Sequence, residues 1–403
     1  MSKGQPRGAR QWRSSRQVVI VSPGAFAIPS EKSSSVEQVI QKTAEPLAAH
    51  VPVTVIGRKT SFQRAKEVRG SVTYVRVPFK GPGSYIVGAM REIARLKPAV
   101  IQVDNRPRYV WRLRRKFPHA TISLVLHSTY FISEPHIALS RLRACLRAAT
   151  TIIVNSEFLK AYLQKKVPAA AHKIVVNYLG VDTSSFISKW SPEGEAARRM
   201  MLRERGYEGR KIILYAGRLI PQKGVHHLLE AMPAIIQREP SALLVIVGSA
   251  FYGSRRVTPY VARLKKRARA LAGHVVFVPY VKHQDIPAWM RLAEVAAVPS
   301  IGKEAFGLVN VEAMASGVPV VATRAGGIQE VVEDGQTGVL VSIPKIRREL
   351  AASLLRVLQD DDLQRKLGEQ GVARVQEKFT WQRSAEKRLE LYARWLENAR
   401  SGG

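Results

Sequence analysis

Short apolar runs recur along the chain, each closed by a turn or a polar loop. Residues 18–21 are stopped by Ser22, Pro23 and Gly24, and similar runs follow at 53–56, 72–77, 100–103, 122–126, 151–154 and 173–176. These runs are of strand length and rich in Val and Ile. Their apolar positions are mostly consecutive rather than alternate, which predicts strands buried on both faces. Between them, residues 36–50, 85–96 and 139–149 carry apolar side chains at helical spacing, as in Val36, Val39, Ile40 and Leu47. A polar, charged passage at 182–209 breaks the rhythm and reads as a linker. The alternation then restarts, with strands expected at 212–216, 242–248, 275–278, 295–298, 319–322 and 338–341. Helices are expected at 225–237, 261–272, 286–291 and 328–333, and the chain from 347 onward reads as helical.

Alternation of this kind predicts a parallel sheet with helices on both faces. Two consecutive series predict two doubly wound, Rossmann-like α/β domains facing each other across a cleft, spanning 17–185 and 186–378. Ligands then belong outside the carboxyl ends of the strands. Residues 1–16 hold five basic and no acidic side chains and little that packs, so a mobile tail is expected there.

Length agrees with this division, since 403 residues suffice for two domains with separate cores. The single cysteine, Cys145, excludes an internal disulfide and suits a reducing compartment. The longest apolar runs, such as 242–247, are far shorter than the roughly 20 residues of a spanning helix. Residues 18–21 are too short for a signal-peptide core. The expectation is a cytoplasmic protein.

Charge alters the picture more than length does. The formal net charge is +33, and it is uneven: residues 1–185 hold 30 Lys/Arg against 9 Asp/Glu, residues 186–403 hold 34 against 22. Such an excess favours anionic partners, and an anionic acceptor or a membrane surface fits better than nucleic acid. The basic run 106–116 with Tyr109 and Trp111 reads as the solvated face of a helix whose Val110 and Leu113 face the core. Peripheral attachment to an inner membrane face is one expected consequence.

Three constellations carry candidate chemistry. In the first, residues 216–224 (AGRLIPQKG) follow a strand and open a helix. A helix start offers free N–H groups and a positive dipole end. Arg218 adds a bidentate fork and Lys223 a point charge, so the turn suits a diphosphate. The glycine spacing is not that of a P-loop. In the second, residues 304–327 (EAFGLVNVEAMASGVPVVATRAGG) set Glu304 and Glu312 eight positions apart with Gly307 between them. Gly307 frees the backbone at Phe306 and Leu308 to approach a phosphate. Each glutamate can accept from hydroxyl pairs on a sugar or ribose. Gly326 and Gly327 open another helix and read as a second anion-accepting turn. The third is His127, at the carboxyl end of an apolar strand and facing the expected cleft. The run Asp360, Asp361, Asp362 reads as a helix cap. No His/Cys cluster has metal-ligand spacing, so no metal or other cofactor is expected.

These motifs make the chain similar, over nearly its whole length, to the retaining family-4 glycosyltransferases of GT-B fold. The likeness is strongest at 215–224 and 304–327. Asn177 to Asp182 with Phe186 resembles the family's interdomain signature with two residues inserted. Residues 379–395 resemble its last helix, which implies that 379–403 crosses back onto the first domain.

The resemblance implies that Arg218 and Lys223 bind the diphosphate of a UDP- or GDP-sugar donor. It implies that Glu304 contacts the transferred sugar and that Glu312 holds the ribose hydroxyls. Phe306, Gly307 and Leu308 would lend backbone contacts, and His127 would lie near the anomeric carbon. The family needs no metal. Many relatives carry a glycine pair where this chain has Ser33 and Ser34 ahead of Ser35, Val36 and Glu37, and serine takes positive φ less cheaply. This loop and Asn105, Arg106 and Pro107 are similar to the bacterial spore-coat branch. The expected activity is retaining transfer of a hexose to an acceptor hydroxyl in envelope, polysaccharide or spore-coat glycan synthesis. A structural coat protein on the same scaffold is the alternative.

Overall fold

The structure, a computed structural model, describes residues 15–30, 34–251 and 257–399. The first half of the chain supplies strands β1 (Ser15–Val21), β2 (Val53–Arg58), β3 (Lys66–Arg69), β4 (Val72–Val77), β5 (Pro98–Asp104), β6 (Thr121–Leu126), β7 (Thr151–Val154) and β8 (Ile174–Val176). They form one sheet in the order β3-β4-β2-β1-β5-β6-β7-β8. All neighbours are parallel except β3, which pairs antiparallel with β4 at the edge. Helices α1 (Ser35–Ala48), α2 (Pro82–Leu96), α3 (Pro107–Lys116), α4 (Leu139–Ala148) and α5 (Glu157–Lys166) connect them. Both sheet faces are covered, which is why Val18, Val19, Ile20 and Val21 are all fully buried.

After α6 (Pro192–Glu204), the second sheet uses β9 (Lys211–Ala216), β10 (Ala242–Val247), β11 (Val275–Val278), β12 (Val295–Val298), β13 (Val320–Thr323) and β14 (Gly338–Val341). Its order is β11-β10-β9-β12-β13-β14, parallel throughout. The intervening helices are α7 (Val225–Arg238), α8 (Pro259–Ala268), α9 (Ile286–Leu292), α10 (Leu308–Ala315) and α11 (Ile328–Val331). Three more follow: α12 (Ile346–Leu358), α13 (Asp361–Lys378) and α14 (Trp381–Asn398). Strand order reverses between β9 and β12, and such a switch point opens a crevice at the carboxyl ends of those two strands. The loops that leave β9 and β12 there are the ones carrying Arg218, Lys223 and Glu304.

The two doubly wound sheets are the ones that the apolar rhythm predicted. Three elements escaped it. Strand β3 (KEVR) lies at the sheet edge, mostly exposed, so it shows no apolar run. Helix α5 buries only Leu159 and Leu163. Helix α6 lies inside the passage read as linker; of its residues only Gly194 is buried, so a polar sequence conceals a helix. Ser191 caps it by accepting from the Gly194 N–H at 3.1 Å. Of the segment read as a mobile tail, Ser15 and Arg16 begin β1, while 1–14 lie outside the described residues.

The chain crosses between domains twice, side by side. Val181 N–H donates to the Phe379 carbonyl at 2.9 Å, and Asn177 Nδ2 donates to the Ser384 carbonyl at 2.9 Å. Helix α14 then lies back across the first sheet, as expected. Its Arg388 donates to Gln102 Oε1 at 2.7 Å, and the Tyr392 hydroxyl contacts Gln102 Oε1 at 3.1 Å and Ser123 Oγ at 3.0 Å. Among the described residues, no helix is long and apolar enough to cross a membrane.

Tyr392 is fully buried, so Tyr392→Ala leaves a cavity and unpaired polar groups under the first sheet. It should cost about 3–5 kcal/mol, whereas Tyr392→Phe should cost about 1 kcal/mol. Urea unfolding of the two variants against the parent checks this ordering.

Candidate active site

Strand β9 hands over to a tight turn. The Tyr215 hydroxyl donates to the Arg218 carbonyl at 2.7 Å, bracing the turn. Burial, then the Tyr260 and Glu304 charges, push the Tyr215 hydroxyl far above its ordinary pKa, so it remains a donor. Arg218 stands exposed on this turn. A short 3₁₀ turn, Pro221–Lys223, follows, and Gly224 opens α7. Gly224 has φ +71°, and a Cβ there would lie 1.9 Å from the Pro299 carbonyl oxygen. Only glycine lets this turn press against the chain leaving β12.

That close approach joins two loops. The N–H groups of Ile301 and Gly302 both donate to the Gln222 carbonyl, at 2.9 and 3.2 Å. Lys223 forms an ion pair with Glu304, and Ser300 Oγ lies 3.4 Å from the same carboxylate oxygen. The two side chains are 23% and 20% exposed, so the pair is accessible to a ligand yet partly shielded from water. Thus Lys223 and Glu304, which are far apart in sequence, form one charged contact at the switch point.

Gly307, with φ +84°, caps α10 and accepts from Asn310 Nδ2 at 2.8 Å. The following N–H groups start the helix and face the crevice end of the sheet. Phe306 itself is 2% exposed. Its ring packs against Tyr178 and Phe379, with centroids at 6.1 and 5.8 Å. Only its backbone is left for a ligand. Leu308 is half-buried. Gly326 and Gly327 do not form the second anion-accepting turn expected of them. The Gly327 N–H is committed to the Glu304 carbonyl at 2.9 Å, and α11 is a single short turn. The pair is small because the backbone of Glu304 and Ala305 passes directly over it, 2.1 Å from where each Cβ would sit.

Glu312 lies on α10 and is nearly buried, with His283 Nε2 at 3.9 Å from its carboxylate. Burial raises its pKa and His283 opposes part of that rise. Glu304 and Glu312 thus occupy different environments, one ion-paired and one desolvated. His283 sits in a 3₁₀ turn, where no periodic signal singles it out.

On the other sheet, His127 follows β6. Its Nε2 is 2.9 Å from Asp104 Oδ1, and its N–H donates to Asn105 Oδ1 at 2.9 Å. Asn155 Nδ2 reaches the His127 carbonyl at 3.3 Å. With Asp104 accepting from Nε2, the ring position left for a ligand is Nδ1. His127 Nδ1 and Asn155 Oδ1 are both buried without a partner, a cost of about 1–3 kcal/mol each. Asp104 and Asn105 stand at the end of β5 and Asn155 follows β7, so these partners belong to strands other than the one that leads to His127, and sequence reasoning did not join them to it.

The junction between the domains has its own clamp. Glu330 on α11 accepts from the N–H groups of Glu157 and Phe158, both at 2.7 Å, at the start of α5. A carboxylate there satisfies two orphan donors and meets the positive dipole end. The Tyr178 hydroxyl donates to the same carboxylate at 3.2 Å. Burial and the Glu330 charge push Tyr178 up to about 12, so it stays protonated. Of Ser33, Ser34 and Ser35, Ser33 lies outside the described residues. Ser34 caps α1, accepting from the Val36 N–H at 3.3 Å and donating to Glu37. Among the described residues, no cluster of three or more His, Cys, Asp or Glu could hold a metal ion.

Two family profiles match the chain: one described as "Glycosyl transferases group 1" over residues 201–374, the other as "Glycosyltransferase Family 4" over 36–185. Spore coat protein SA of Bacillus subtilis (strain 168) is 28% identical over 376 residues, covering 93% of this chain and 99% of that protein. The sucrose-phosphate synthase structure from Thermosynechococcus elongatus superposes with a TM-score of 0.79 at 25% identity, covering 95% of this chain and 100% of that one. The Anabaena HepE structure in complex with UDP-glucose superposes with a TM-score of 0.75 at 20% identity, covering 93% and 99%.

Two outcomes test this geometry. Glu330→Ala removes the clamp between the domains and should lower stability by about 1–2 kcal/mol, with faster amide exchange at Glu157 and Phe158. For Glu312, a raised pKa in the folded state means that ionisation opposes folding. The deficit is absent below the ordinary glutamate value and grows as pH rises through the raised one. Stability curves of Glu312→Gln and the parent should therefore diverge in favour of Gln as pH increases from 4 to 8.

Proposed function

Because the chain belongs to the glycosyltransferases of GT-B fold, we propose that it transfers a hexose from a UDP- or GDP-sugar to an acceptor hydroxyl with retention of anomeric configuration. The single observation that carries this reading is the Lys223–Glu304 contact at the switch point of the second sheet, flanked by Arg218 and the start of α10. Two cations and a helix N-terminus suit a diphosphate, and the adjacent carboxylate suits the hydroxyls of the sugar that it carries.

In this reading, Arg218, Lys223 and the amides at Gly307 and Leu308 meet the charge that develops on the leaving diphosphate. No metal is needed for that charge balance. Glu304 holds the transferred sugar, and Glu312 accepts from the ribose hydroxyls. His127 lends Nδ1 to the sugar from the opposite domain. No side chain is placed as a covalent nucleophile. The bond from the anomeric carbon to the phosphate oxygen breaks with its electron pair leaving on the phosphate. The acceptor oxygen bonds to the same face, and its proton passes to that phosphate oxygen. The Bacillus relative supports a role in envelope or spore-coat glycan synthesis. The net charge of +33 supports an anionic acceptor or attachment at an anionic membrane face.

Lys223→Ala and Glu304→Ala should each lower transfer by about 10²–10³-fold, with far-ultraviolet circular dichroism unchanged. Sugar-nucleotide turnover checks this, and near-normal rates in both variants exclude the assignment. The anomeric proton coupling of the product decides retention; an inverted linkage contradicts it.

A further inference from the structure

Beside this site is a cavity of about 280 Å³ whose lining includes none of Arg218, Lys223, Glu304 and Glu312. Its first-domain wall is the loop from Thr129 to His136, together with Tyr162 of α5, and Lys303 closes it from the second domain. Thr129 is two residues beyond His127, and Lys303 immediately precedes Glu304. The cavity therefore borders both halves of the site. Its size is at the lower end of ligand pockets, roughly 300–1,000 Å³, which suits one sugar ring.

We propose that this cavity seats the acceptor sugar, and that this sugar carries a carboxylate or phosphate held by Lys303 on the cavity wall and by Lys166, which lies beside the lining residues Ser133 and Tyr162. The inference rests on the transferase reading and adds the chemical class of the acceptor.

The lining supports both parts. Tyr130 is 57% exposed and packs against His136 with ring centroids 3.8 Å apart. An exposed aromatic face beside hydroxyl groups is a surface on which the apolar face of a sugar ring packs. Lys303 Nζ lies 5.0 Å from the Tyr162 ring centroid and Lys166 Nζ lies 5.6 Å from it. Lys166 also donates to Ser133 Oγ at 3.2 Å, and Ser133 contacts the Tyr162 hydroxyl at 2.8 Å. Among the described residues, neither lysine has a carboxylate partner. Both ammonium groups therefore add positive potential beside the Tyr162 ring. Burial alone would raise the Tyr162 hydroxyl, yet the Ser133 hydrogen bond, followed by the Lys166 and Lys303 charges, outweighs it and lowers its pKa. Glu134 is the opposing charge on the wall, and it is solvent-exposed, where water and salt screen it.

The test titrates the full chain with glucose, glucuronate and glucose 6-phosphate by calorimetry, each with and without saturating UDP or GDP. At least one charged sugar should bind about tenfold more tightly than glucose, and the preference should vanish in the Lys166→Gln, Lys303→Gln double variant. Lys303→Arg in the parent should keep it. A gain with glucuronate alone identifies a carboxylate; a gain with glucose 6-phosphate alone identifies a phosphate. Charged sugars no tighter than glucose, or a preference that survives the double variant, overturn the proposal. UDP and GDP affinities in the same samples separate the two readings. Binding of either nucleotide without a charged-sugar preference removes only the acceptor inference. Absent binding of both UDP and GDP counts against transfer, while the titrations without nucleotide still decide the pocket.

Discussion

The Lys223–Glu304 ion pair is the contact around which the second domain is arranged. It forms only because two loops leaving neighbouring strands are drawn together at the switch point, and that approach is a backbone constraint. Gly224 removes the side chain that would strike the Pro299 carbonyl. The Gln222 carbonyl then takes two N–H groups from the partner loop. Gly326 and Gly327 leave room for the Glu304 backbone to pass above them. Each device is a missing atom or a hydrogen bond with its geometry fixed, and together they hold opposite charges side by side at the switch point of the second sheet.

The first domain contributes a different kind of preorganisation. His127 is fixed through three groups from two strand ends, Asp104 and Asn105 at the end of β5 and Asn155 after β7. One ring nitrogen and one amide oxygen remain buried and unpaired. Such groups lower stability unless a ligand satisfies them. The Glu330 carboxylate joins the halves by capping α5 across the junction. The loop that carries Glu304 packs directly on Gly326 and Gly327, which lead into the helix that carries Glu330, so the charged contact and the domain junction share a mechanical link. Rigid positioning of this kind is what a transfer reaction without a covalent intermediate requires.

Much of this architecture is legible in the chain. Strand β1 reads as buried because Val18 to Val21 are consecutive apolar residues, and the helix-period runs locate most of the helices. Arg218, Lys223, Glu304 and Gly307 are visible because turn glycines, cations and carboxylates lie close together in sequence. What is hidden follows from physics as well. Edge strand β3 and helix α6 face water, so neither carries a periodic apolar signal. The Gly326, Gly327 pair reads as an anion site by position, and only the tertiary contact with Glu304 shows that its N–H is already used. His283, Glu330 and Asp104 act through partners on other elements, and a lone acid or histidine leaves no local pattern.

The central claim is that the second domain is built to receive a diphosphate. Calorimetric titration of the chain with UDP and GDP against UMP and GMP tests it most directly. One site per chain, with a diphosphate bound at least about tenfold more tightly than the matching monophosphate, is the predicted result. Equal affinity for the two, or no nucleotide binding at all, would contradict it.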